Sequence, residues 1–277
     1  MATIGLPVPS AITTEIAVVG AGIIGAAIAY QLAKEGRRVV LVDAAEPGLG
    51  SSGACDGYIS VSTKTPGPAM LMAAASAKLY PGLARELGQA IEYRRVGGLM
   101  LIEEARDLSA MAAHAGVLKA VGVRSEIIDR KAMLALEPAL SPTLVGALSC
   151  PDEAQVTPYL AVLALIAGAL ARGAATLWNA RVVGCDVDGA RIRRLELVRT
   201  DASRVHVVAE QYVLAAGIGS AGLGRLLGIE LPVTARRGEI LVTARGATLA
   251  RRFLVSARYL TAKLDPWLAR RSDDPLE

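Results

Sequence analysis

The sequence predicts an α/β fold, and three observations near its start carry that prediction. A β-branched apolar run, Glu15–Val19, is followed at once by the turn Gly20-Ala21-Gly22-Ile23-Ile24-Gly25, and a second β-branched run from Arg38 closes on Asp43. Short apolar runs without alternation are the pattern of strands buried on both faces. The glycines have separate roles: Gly20 permits a tight turn, Gly22 lets backbone approach a pyrophosphate, and Gly25 lets a helix pack close to the strand. That helix is expected to run to about Glu35, with Ile24, Ala27, Ile28, Gln31 and Leu32 at helical spacing and Gly36 as its C-cap. Its first turn, at Ile23 and Ile24, offers free N–H groups and a positive dipole end to a diphosphate. Asp43 stands 18 residues past Gly25, where a carboxylate accepts from ribose hydroxyls and disfavours a 2′-phosphate. Strand, turn, helix and closing acid together read as a Rossmann-like dinucleotide-binding unit; the alternative is a glycine-rich turn that binds nothing.

Composition narrows the function classes. The chain of 277 residues is 53% hydrophobic and 20% charged, which is a globular composition. Its net charge of +4 comes from scattered arginine pairs, and Phe253 is the only phenylalanine. Nucleic-acid binding is therefore not expected, since it wants clustered cations and aromatic stacking platforms. Cys55, Cys150 and Cys185 fit neither a disulfide framework nor a zinc spacing, and His114 and His206 are the only histidines. Neither a metal site nor a Ser-His-Asp triad is expected. The uncharged run Ile16–Ala33 has the length of a membrane span, but its three glycines split it into strand and helix. With no basic residue before the first apolar run, the expected location is the cytoplasm.

A second small-residue cluster follows Asp43 directly: Gly48-Leu49-Gly50-Ser51-Ser52-Gly53-Ala54-Cys55-Asp56-Gly57. An NAD domain has no need for it, whereas a flavin threading its pyrophosphate and ribityl chain past the second strand needs hydroxyls and backbone there. Further on stand Val213-Leu214-Ala215-Ala216-Gly217-Ile218-Gly219-Ser220 and Asp152-Glu153-Ala154-Gln155-Val156-Thr157-Pro158. On these motifs the chain resembles the D-amino-acid oxidase superfamily of FAD-dependent oxidoreductases over nearly its whole length. Ser51–Tyr58 and Arg258-Tyr259-Leu260-Thr261-Ala262-Lys263 are similar to the β subunits of D-hydroxyproline and opine dehydrogenases and to the hydrogen-cyanide synthase flavoprotein.

The resemblance implies FAD as cofactor, bound by Gly20, Gly22, Ile23, Ile24, Gly25, Asp43, Ser51, Ser52, Gly53, Ala216 and Gly217, with the backbone of Val182 meeting the adenine. It implies a Rossmann-like FAD-binding domain, 1–85 with 149–232, interleaved with an α+β substrate domain, 86–148 with 233–277. Ile91–Val96 and Gly98–Ile102 are expected as strands, Ala105–Val121 and Tyr159–Ala171 as helices, and Arg236–Ile240 and Arg252–Leu260 as strands. Because relatives continue further, the substrate domain reads as incomplete, and the chain as a fragment, a truncated product or a partner-dependent subunit. The implied reaction oxidises the C–N bond of a small amino or imino acid (D-amino acid, hydroxyproline, sarcosine, glycine or opine) by hydride transfer to the flavin. Tyr259 matches a family tyrosine at the substrate carboxylate, and Arg258 lies beside it; on a strand the two point to opposite faces. The alternative function is an FAD-binding subunit without activity of its own, paired with a partner dehydrogenase subunit.

Overall fold

The computed structural model describes residues 10–244 and 246–264. From the start, β1 (Ala11–Val19), α1 (Ile23–Lys34) and β2 (Val39–Val42) realise the expected βαβ order. There follow β3 (Tyr58–Ile59), α2 (Pro68–Glu86), β4 (Arg94–Arg95), β5 (Gly98–Ile102), α3 (Leu108–Ala120), β6 (Glu126–Asp129), α4 (Arg130–Leu136), β7 (Gly146–Cys150) and β8 (Ala154–Gln155). Then come α5 (Pro158–Leu170), β9 (Ala175–Leu177), β10 (Ala180–Asp188), β11 (Arg191–Arg199), β12 (Arg204–Leu214), α6 (Ser220–Leu226), β13 (Phe253–Ser256) and α7 (Ala257–Leu264).

The chain divides into two compact units, Met1–Asp56 with Thr157–Leu241, and Gly57–Val156 with Val242–Glu277. In the first, β1 sits inside a six-stranded sheet of order β10-β11-β12-β1-β2-β9. It pairs in parallel with both β2 and β12, while β10, β11 and β12 form an antiparallel meander. The core is aliphatic, with Ala17, Val19, Val40, Val42, Leu177, Leu197 and Val207 buried together. Gly36 ends α1 with φ +76°, and the N–H groups of Gly36 and Arg37 donate to the carbonyls of Ala33 and Leu32. This is the two-bond cap that a glycine past the last turn permits.

The second unit carries a four-stranded sheet, β13-β5-β7-β6, and a three-stranded one, β3-β8-β4. The unit bounds differ from the divisions near 85, 149 and 232 read from the sequence. Met70 and Ala74 of α2 are buried with Met100, Ile102, Met111, Leu118 and Leu148, so this helix belongs to the second core. Pairing of β7 with β5, and of β8 with β3 and β4, holds the chain there until Val156.

Two local expectations are corrected, and the larger apolar side chains of α1, Ile24, Ile28 and Leu32, do not mark its buried face. Gly25, Ala26, Ala29, Tyr30 and Ala33 are buried instead, and Ile24 is 63% exposed. Small side chains let the helix axis approach closely, and that decides the face. Arg236–Ile240 forms no strand, because no neighbouring strand pairs with it among the described residues. The strand expected over Arg252–Leu260 ends at Ser256, whose hydroxyl accepts from the N–H of Arg258 at 3.1 Å and starts a helix. Ala257 and Leu260, three apart, are both fully buried beneath it.

Candidate dinucleotide site

The site is built by four backbone segments of the first unit. Gly20, at φ +113°, donates its N–H to the Val42 carbonyl at 2.8 Å. A Cβ there would strike the carbonyl of Ala215 and stand 2.8 Å from the Cα of Ala216. Gly25 admits no Cβ either, since it would collide with the Gly20 carbonyl oxygen and lie 3.4 Å from the Ala215 methyl. Ala215 is itself locked to β1 by an N–H bond to the Val19 carbonyl at 2.7 Å. The glycine turn and the Ala215–Gly217 turn, about 190 residues apart in sequence, thus form one close-packed surface at the end of the parallel strands.

Ser52 joins them. Its Oγ accepts from the N–H of Ile23, the first residue of α1, at 2.9 Å, and a Cβ on Gly22 would lie 2.9 Å from the same oxygen. The loop that carries it is anchored by the Gly48 N–H to the Ala21 carbonyl at 3.1 Å, and Gly53 has no space for a Cβ against the Gly48 carbonyl. Ser51 and Gly53 are exposed on either side of Ser52. The N–H groups of Gly22 and Ile24 find no acceptor among the described residues. Unpaired first-turn amides at the positive end of a helix are an anion site. Replacing Ser52 with alanine removes an acceptor equivalent to a helix N-cap. We expect the cofactor-free protein to lose about 1 kcal/mol, seen in a thermal melt as a Tm lower by about 2–4 °C. An unchanged Tm would show that this bond does not hold the loop.

Asp43 reaches back to the turn. One carboxylate oxygen accepts from the Ala21 N–H at 2.6 Å and the other from the Ala45 N–H at 2.9 Å. Each oxygen keeps a lone pair for a hydroxyl. The Asp43 main chain is tied to the opening of β10 through the Ala180 N–H at 2.9 Å. Val182, two residues on, packs its side chain into the core beside Leu214. The cradle fits a dinucleotide: amides for the phosphates, a carboxylate for a ribose, and glycines wherever a side chain would fill the space.

A second polar cluster lies in the second unit, and the sequence reading missed it. Glu153, 3% exposed, takes on one oxygen the Ser60 hydroxyl at 2.8 Å, the Val61 N–H at 3.2 Å and the Ser62 N–H at 2.9 Å. Its other oxygen has no partner among the described residues. Burial pushes the Glu153 carboxyl up to about 7, against the pull of the Ser62 and Val61 amides. On the same turn the buried His114 ring bonds the Ser62 carbonyl at 2.8 Å, and burial lowers its pKa. The buried Cys150 thiol is pushed up to about 12, mainly by burial. Glu153 stood in the sequence as part of the run before α5; only the fold brings it to Ser60.

Residues 15–265 match the family described as DAO, FAD dependent oxidoreductase. The chain belongs to this family. The chain is 28% identical over 243 residues to glycine oxidase of Geobacillus kaustophilus, covering 82% of this chain and 61% of the relative. With one of the opine oxidase subunits of Rhizobium meliloti it shares 26% identity over 84% of this chain and 64% of that protein. The chain thus spans somewhat under two thirds of the length of these curated relatives. The crystal structure of the Geobacillus kaustophilus glycine oxidase superposes with a TM-score of 0.74 at 25% identity, over 88% of this chain and 66% of that one. The cofactor of the family is FAD, and the cradle of the first unit agrees with it. No helix among the described residues is long and apolar enough to cross a membrane.

Tyr259 and Arg258 belong to the second unit and not to that cradle, and they stand on α7 rather than on a strand. The Arg258 guanidinium is paired with Glu104, while Tyr259 is 48% exposed.

Proposed function

We propose that the protein oxidises the C–N bond of a small amino or imino acid, with FAD held by the first unit. The observation that carries this reading is the convergence of the Gly20–Gly25 turn, Ser52 and Ala215–Gly217 on the unpaired amides of α1. Membership of the FAD-dependent oxidoreductases and the similarity to a glycine oxidase and to an opine oxidase support the substrate class. In this reading the Gly22 and Ile24 amides bind the pyrophosphate, and Asp43 accepts from a ribose hydroxyl while keeping its bonds to Ala21 and Ala45. Ser51, Ser52 and Gly53 line the path beyond the phosphates, Ala216 and Gly217 form the facing wall, and the Val182 backbone meets the adenine. FAD, when bound, supplies the acceptor for the hydride that leaves the carbon next to nitrogen. An amine that binds neutral needs no side-chain base before the hydride leaves; the iminium formed releases its proton to solvent, and the imine then hydrolyses in water.

A second reading is an FAD-binding subunit that needs a partner for activity. The Rhizobium meliloti opine oxidase relative is named as one subunit of its enzyme, and that similarity favours it. One experiment separates the two. The purified protein is scanned for flavin absorbance, then mixed without oxygen with D-amino acids, hydroxyproline, sarcosine, glycine and opines. Bleaching by one class establishes the oxidation and names the substrate. Bound flavin that no member of the panel bleaches favours the partner-dependent reading, and a protein that takes up no FAD overturns both.

A further inference from the structure

We propose that the outward face of α2 docks on an anionic lipid surface, with the helix lying along the headgroup layer. The proposal goes beyond the substrate reading above and does not depend on it, because it rests on α2 and its flanks alone. A helix at the edge of a core buries one apolar stripe and turns polar residues outward. α2 departs from that rule. Its inner side chains Met70 and Ala74 are buried in the second core. At about 100° per residue, Pro68, Leu71, Met72, Ala75, Leu79 and Gly82 form a separate stripe about 100° wide. All six are exposed, with Leu71 at 58%, Met72 at 73% and Leu79 at 65%. α3, which packs into the same core, shows the ordinary arrangement: its exposed positions hold alanines, Ser109, Gly116 and Lys119, and no large apolar side chain.

Charge decides what covers this stripe. Lys78 and Arg85, seven residues and two turns apart, border it on one side, and Lys64 stands exposed ahead of the helix. Between Asp56 and Glu86, the last residue of α2, the chain carries these three cations and no acid. No carboxylate among the described residues lies within ion-pair distance of Lys64 or Lys78. A second copy of the chain would bring the same cations to the same stripe and no acid to meet them, since both sides of a two-fold interface are one patch. A layer of anionic lipid is the complement. Its headgroups meet the cations with negative charge, and its acyl chains begin just below, where Leu71, Met72 and Leu79 reach.

Co-sedimentation of the purified chain with lipid vesicles, in the presence of FAD, tests this. Vesicles of phosphatidylcholine and phosphatidylserine in equal parts are expected to bind about 100-fold more tightly than pure phosphatidylcholine, at about fivefold per cation. At about 1 M salt, where charge is felt over only about 3 Å, most of that preference should vanish. Lys78→Gln should weaken binding to the anionic vesicles about fivefold and leave binding to phosphatidylcholine unchanged. Met72→Gln and Leu79→Gln, which keep the helix propensity, should each weaken it about tenfold or more. Leu249→Gln, at a leucine 75% exposed outside α2, should change nothing. Equal binding to both kinds of vesicle, binding to neither, or the same loss in Leu249→Gln as in Leu79→Gln would each overturn the proposal. So would a dimer in light scattering that Leu79→Gln dissociates, which would make a second copy the occupant of the stripe.

Discussion

Gly25→Ala is expected to yield a protein that no longer holds FAD. The added methyl would occupy the position of the Gly20 carbonyl oxygen and press on the Ala215 side chain. Neither contact can yield cheaply. Gly20 is bonded to Val42 and Ala215 to Val19, so the obstruction is backbone fixed by a parallel sheet. Relief requires α1 to move away from β1, and its first-turn amides then leave the place where a pyrophosphate meets them. Forced overpacking of this kind costs about 3 kcal/mol. A displaced anion site should lower FAD affinity by about 100-fold or more, since each 1.4 kcal/mol is tenfold. Gly36→Ala is the matched control. That glycine also has a left-handed backbone, at φ +76°, but nothing lies within 4 Å of the position its Cβ would take. It should lose only about 1–2 kcal/mol for the left-handed conformation and keep its flavin. Equilibrium titration with FAD and denaturant melts of both variants check this. Equal flavin affinity in Gly25→Ala and wild type would mean that the close approach of α1 to Gly20 is not what forms the cradle.

The second large effect concerns Glu153. Its carboxyl is raised from an ordinary 4.5 to about 7 by burial, so the folded protein holds that proton more tightly than the unfolded chain. The stabilisation is complete below pH 4.5, declines as pH rises, and is lost above about 7. A shift of this size corresponds to about 3 kcal/mol between those limits, at 1.36 kcal/mol per unit. Glu153→Gln cannot ionise, yet its amide oxygen still accepts from Ser60, Val61 and Ser62. Relative to wild type, the variant should therefore gain about 3 kcal/mol between pH 4.5 and pH 8, whatever fixed penalty its NH2 group adds. Denaturant unfolding of both proteins across that range reads the difference directly, because all other titrating groups cancel. Parallel pH profiles would mean that Glu153 ionises normally in the folded protein.

Much of the dinucleotide unit was legible in the sequence because its constraints are local. A positive φ, a helix start and a strand closing on an acid each leave a mark within a few residues, and Gly20, Gly25, Gly36 and Asp43 stand where those marks put them. FAD and the family were legible too, since the small-residue runs at Gly50–Gly53 and Ala215–Gly217 are themselves short sequence motifs. What the sequence left undetermined depends on partners distant along the chain. Which face of α1 is buried was decided by how closely Gly25, Ala26 and Ala29 let the helix approach the sheet. Helix rather than strand after Ser256 was decided by burial of Ala257 and Leu260 in a core with Met100 and Leu148, since a short apolar run suits either state until its neighbours are in place. That choice set Arg258 and Tyr259 about 100° apart on α7 rather than on opposite faces of a strand. Glu153 acquired its raised affinity for a proton only when the fold carried it across 93 residues to Ser60, because burial and hydrogen-bond partners are properties of the assembled core.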